Sequence, residues 1–140
     1  VVIAFTLFSI FKCVAVLFRR RVWNQTDDNL SRWTIRVWDM QFLLGLVLYF
    51  MSPISQFGLA NFGEAIANQQ LRQITLEHPI LNLLAITILH VGWILVRRLV
   101  SGSSKHTAWL STIIVSMVLV LLAIPSGRPW LRFWIGAPEF

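Results

Sequence analysis

Cysteine occurs once in this chain, at Cys13, which excludes an intramolecular disulfide and a thiolate metal site. Acidic residues are also few, six Asp and Glu against twelve Lys and Arg, and charged residues together make up 13% of the sequence, too few for an ordinary soluble domain. The motifs of soluble-enzyme chemistry are missing as well: no H-E-x-x-H, G-x-S-x-G or C-x-x-C occurs, and Gly58 to Gly63 lacks the Lys-Ser/Thr of a phosphate loop. No repeat, low-complexity stretch or second domain interrupts the 140 residues.

What is present is apolar. Four stretches, roughly 1–18, 35–52, 79–96 and 107–124, reach or approach the ~20 residues that a membrane-crossing helix needs. The predicted fold class is therefore all-α: one transmembrane four-helix bundle spanning 1–140. Arg19, Arg20 and Arg21 follow the first stretch, with no small-residue cleavage pattern, so that stretch reads as a retained helix rather than a signal peptide. Cys13 is expected to pack there as a small apolar residue, and Lys12 to reach toward the interface.

The basic residues lie in short clusters beside apolar runs, where they set topology rather than bind nucleic acid. Eight (Arg19, Arg20, Arg21, Arg32, Arg36, Arg97, Arg98 and Lys105) flank the first and third connections, against three (Arg72, Arg128 and Arg132) on the other side. The positive-inside rule then predicts an N-out, C-out arrangement, with both termini outside the cytoplasm. Two glycosylation-type triplets, beginning at Asn24 and Asn29, fall on the predicted inner side and carry no weight. Ile54 to Glu77 mixes apolar residues with amides and predicts an interfacial segment between helices two and three. Trp33, Trp38, Trp93, Trp109, Trp130 and Trp134 cluster near predicted helix ends, as in an interfacial aromatic belt.

The candidate site residues are on helix three: His78, Asn82 and His90. Ionisable groups inside a span are costly and turn toward a bundle interior, a partner or a cofactor. Asn82, Ile86, His90, Trp93 and Arg97 fall on one helical face, which is expected to look into the bundle, while Ala85 and Gly92 would let another helix approach closely. Glu77, His78 and Pro79 suit a helix entry, with ligand or proton handling as the alternative for His78. For His90, about 18 Å along the helix from His78, the readings are a helix-to-helix hydrogen bond or contact with a tetrapyrrole, haem b or a chlorophyll-type pigment. His106 begins helix four nearer the inner face, so two histidines of this chain do not meet at one depth. Asp39 is expected to pair with Arg36, three residues earlier on the same face.

The run from Asp39 to Pro53, DMQFLLGLVLYFMSP, followed by Glu77-His78-Pro79 and the Ile124-Pro125 exit, resembles a group of small bacterial four-helix membrane proteins of cytochrome-b-like type. In that group a histidine tends to stand early in helix one and another just before the segment corresponding to Gln41–Gly45. Here Asp39 holds the second place and no histidine precedes Lys12, so the resemblance implies the fold more than the haem. The function expected is a non-catalytic subunit of a larger energy-transducing complex, photosynthetic or respiratory, in contact with lipid, other subunits and pigments. A b-type cytochrome for membrane electron transfer is the first alternative and a small transporter or proton-handling protein the second.

Overall fold

A computed structural model describes residues 2–18, 22–100 and 102–124, and all of the regular structure among them is helical. The elements are α1 (Val2–Phe18), α2 (Gln25–Met51), α3 (Pro53–Ala60), α4 (Phe62–Ala67), α5 (Gln69–Arg72), a π-helical turn (Gln73–Glu77), α6 (His78–Arg98) and α7 (Gly102–Leu122). Three of them are long and apolar enough to cross a membrane: α2, the continuous run Gln69–Arg98, and Ser104–Leu122 of α7. At 17 residues α1 extends only about 25 Å, somewhat less than the ~30 Å of a hydrocarbon core. The Arg19–Arg21 cluster and the tail holding Arg128, Trp130, Arg132 and Trp134 lie outside the described residues.

The second helix starts ten residues before the expected boundary. Asn24 accepts from the Asp27 N–H and the Asp27 carboxylate accepts from the Asn24 N–H, a reciprocal cap that begins α2 at Gln25. Asp27 and Asp28 then stand in the first turn, where the helix dipole favours negative charge. At the other end Ser52 stops the helix and Pro53 opens α3 without losing a helical hydrogen bond. The expected interfacial segment is helical over nearly its whole length, as α3, α4 and α5.

The packed pairs among the four long helices are α1 with α2, α2 with α6, α6 with α7, and α7 with α1. The closest is α6 against α7. Ala85, Leu89, Trp93 and Val96 form the buried stripe of α6, and Trp109, Ile113, Ser116 and Met117 that of α7. Gly92 sits directly on Thr112, so that an added Cβ would overlap the threonine side chain. The close approach expected of Ala85 and Gly92 is thus realised against α7. Between α1 and α2 the contact is polar: Trp38 Nε1–H donates to Thr6 Oγ1 at 2.8 Å, and Ser9 and Thr34 share a hydroxyl bond of 2.9 Å. Thr6 donates its own proton to the Val2 carbonyl, which leaves its oxygen free to accept from Trp38. Cys13 is buried in the apolar core that also holds Ile35 and Trp38, as expected.

Trp38, Trp93 and Trp109 are buried, which corrects their expected place in an aromatic belt; Trp33 is exposed and carries the Arg36 guanidinium over its ring. Trp93 packs edge-on against Trp109 and lies beside Trp23, which in turn packs at a tilt against His106 with ring centroids 4.8 Å apart. This aromatic cluster fills the end of the packed helices that holds Asp27 and the start of α7. Among the described residues the opposite end is open.

Candidate functional site

At that open end a cavity of about 320 Å³ lies between the C-terminal half of α2, the start of α6, the end of α7 and the first residues of α1. Its walls are apolar: Phe42 and Leu46 from α2, Ile86 from α6, and Val120 and Ile124 from α7 and its exit. Gly45 contributes to its openness, because an added Cβ there would meet nothing within 4 Å. Along α2 it runs from Trp38 to Tyr49, eleven residues or about 16 Å, and along α6 from Ile86 to His78, about 12 Å.

Two of the three expected site residues line it, His78 and Asn82. His78 Nδ1 is 2.7 Å from the Ala123 carbonyl oxygen, which ties the start of α6 to the residue after α7. A carbonyl only accepts, so Nδ1 carries the proton and Nε2 is the lone-pair nitrogen in the neutral ring. Asn82 donates from Nδ2 to the His78 carbonyl at 2.7 Å. Tyr49 completes the group and donates its hydroxyl proton to the Thr75 carbonyl at 2.8 Å. That carbonyl is four residues before Pro79, which has no N–H to return to it, so the tyrosine donates where no i→i+4 helical bond can form. Sequence reading alone passed over Tyr49, although the pairing of a lone tyrosine with a first-turn proline is the signal that marks it.

His90, the third expected site residue, is elsewhere. Its Nδ1–H donates to the Ile86 carbonyl at 2.9 Å, and its Nε2 lies 3.3 Å from Asp39 Oδ1 on α2. Both side chains are substantially open on the outer surface of the helices, 46% for His90 and 39% for Asp39. The expectation that His90 looks into the bundle is corrected: the inward positions of α6 are taken by Ala85, Leu89 and Trp93, and His90 falls beside that stripe toward α2. The expected Arg36–Asp39 pair is corrected too, since Arg36 turns to Trp33 and Asp39 to His90. Asp39 is twelve residues before Met51 and His90 twelve after His78, so each lies about 18 Å along its helix from the open end. The pair therefore sits at one depth, well below that end. Between Nε2 and the carboxylate there is room for one shared proton, making the pair neutral overall with it and singly negative without it.

The three histidines occupy three separate surroundings: His78 at the cavity, His90 against Asp39, and His106 buried under Trp23 with Asp27 Oδ2 at 3.9 Å. Among the described residues no group of three or more His, Cys, Asp and Glu is placed to hold a metal ion. No protein-family model matches the chain, and no curated protein or solved structure matches it.

Proposed function

We propose that this chain is a non-catalytic subunit of a larger membrane complex: a four-helix transmembrane bundle, N-out and C-out in a bacterial cytoplasmic membrane, assembled laterally against another subunit. The observation that carries this reading is the Asp39–His90 pair. An ionisable pair open on the side of two apolar helices faces hydrocarbon unless something covers it, and uncovered polar groups at that depth cost several kcal/mol (roughly 2.5–3.5 for an aspartate at a helix centre). A neighbouring helix that brings a hydrogen-bond partner removes that cost. Leu43, Met40, Val91 and Ile94, exposed on the same two helices, would extend the contact with apolar surface. The energy-transducing character of the complex, respiratory or photosynthetic, rests on the resemblance to the cytochrome-b-like group.

The residues present do not fit a haem held by two histidines of this chain. Asp39 presents a carboxylate to His90 at the place where the group carries a histidine, His106 is packed under Trp23 at one end, and His78 stands at the other.

The test is blue-native electrophoresis of native membranes, comparing the wild type with the double variant Asp39→Leu/His90→Leu. The double replacement leaves no unpaired charge, and helix content by circular dichroism checks its folding. The wild type is expected in an assembly several times the size of the chain and the double variant as the free chain. A wild type that migrates alone, or a double variant still assembled, overturns the proposal.

A further inference from the structure

Three side chains at the cavity have their donor hydrogens committed to backbone carbonyls: His78 to Ala123, Tyr49 to Thr75 and Asn82 to His78. What each has left toward a ligand is chiefly an acceptor: the Nε2 lone pair of His78, the phenolic oxygen of Tyr49 and the amide oxygen of Asn82. Asn82 also keeps one N–H, and the side-chain amide of Gln41, which lines the cavity as well, offers both donor and acceptor. Among the described residues no Lys or Arg lines the cavity, and these residues offer no cation to a carboxylate or phosphate head. A group that donates one hydrogen and accepts another complements this set, and a hydroxyl is the smallest neutral group that does so.

We infer that the cavity binds an elongated apolar small molecule whose head donates a hydroxyl hydrogen bond to these acceptors, the head being a hydroquinone or a lipid alcohol. The volume, about 320 Å³, lies at the small end of ligand-binding pockets and suits a single ring with a short chain. The slot between α2 and α6, with Phe42, Leu46 and Ile86 on its walls, matches an apolar body lying along the helices. A quinone, which offers only acceptors, sets oxygen against oxygen at His78 and Tyr49 and binds less well. The inference is independent of lateral assembly and rests only on the reading that these helices lie in a bilayer, from which such a ligand would enter.

The experiment uses the full chain in lipid nanodiscs and four tritiated probes under argon: a hydroquinone with a short isoprenoid tail, its dimethyl ether, the matching quinone, and an isoprenoid alcohol. The hydroquinone or the alcohol is expected to bind at least about tenfold more tightly than the ether and the quinone, the ratio expected for one well-placed hydrogen bond. The tighter of the two identifies the source of the hydroxyl. Gly45→Phe fills open space and is expected to abolish binding while helix content and monodispersity stay unchanged, whereas Gly45→Ala is expected to retain binding. Equal affinity for hydroquinone, ether and quinone overturns the inference. So does binding that survives Gly45→Phe, or a tetrapyrrole absorption band that co-purifies with the wild type and is lost with Gly45→Phe. A chain that stays dispersed in buffer without lipid or detergent overturns the bilayer reading instead.

Discussion

The Tyr49 hydroxyl donates to the carbonyl oxygen of Thr75 at 2.8 Å and so supplies the hydrogen that Pro79 lacks. One bond thereby joins the C-terminal end of α2 to the turn that leads into α6. Tyr49→Phe is expected to destabilise the fold by about 1 kcal/mol, the usual net value of such a bond. In a Pro79→Ala background, where residue 79 regains an N–H, the same change is expected to cost less. Unfolding in mixed SDS micelles, followed by circular dichroism over the four variants of the cycle, measures the difference.

Gly92 and Gly45 are both helical glycines and are predicted to respond in opposite directions. Gly92→Ala drives a methyl group into Thr112 and is expected to cost ~1–3 kcal/mol, with partial recovery when combined with Thr112→Ala. Gly45→Ala meets open space and is expected to stabilise the helix by ~0.5–1 kcal/mol. The same unfolding measurement distinguishes the two, and equal effects would contradict the packing described.

Thr6→Val removes the acceptor of the buried Trp38 indole N–H and is expected to cost ~1–2 kcal/mol. The coupling between Thr6→Val and Trp38→Phe should be smaller, about 0.6 kcal/mol, as is usual for hydrogen bonds between helices in membranes. A coupling near zero would mean that α1 is held to α2 by packing alone.

Topology is open to direct labelling. On a Cys13→Ser background, Ser52→Cys lies at the open end and Ser104→Cys near the start of α7 at the other. A membrane-impermeant maleimide applied to spheroplasts is expected to label the first at once and the second only after permeabilisation. The reverse order would place the termini inside.

Much of the helical character was legible because twenty-residue apolar runs have few alternative folds. The start of α2 was not, since the hydropathy of Gln25–Arg36 is low and the evidence for helix there is a capping pattern, Asn24-x-x-Asp27, rather than periodicity. Asn24→Ala is accordingly expected to cost about 1 kcal/mol of stability. At the site, helical spacing placed Asn82 and His90 on one side of α6, but it does not say which neighbour lies at which height. Along α6 the cavity ends at Ile86, and His90 turns instead to Asp39 of α2 on the outer surface, which separates it from His78 and Asn82. Arg36 likewise had two partners within reach on its own helix, Asp39 and Trp33, and the choice fell to the one that His90 did not claim.

The π-helical turn between α5 and α6, closed by the His78 N–H on the Gln73 carbonyl, acts as a phase shifter. Successive residues of an α-helix are about 100° apart, so the one extra residue in this turn sets everything before it about 100° out of step with α6. Thr75 can then lie against Gly58 of α3 and meet Tyr49 while His78 and Asn82 line the cavity. Side-chain replacements between Gln73 and Glu77 leave that offset in place. A one-residue deletion cancels it and turns the two halves of the run relative to each other, so length is what this segment cannot vary.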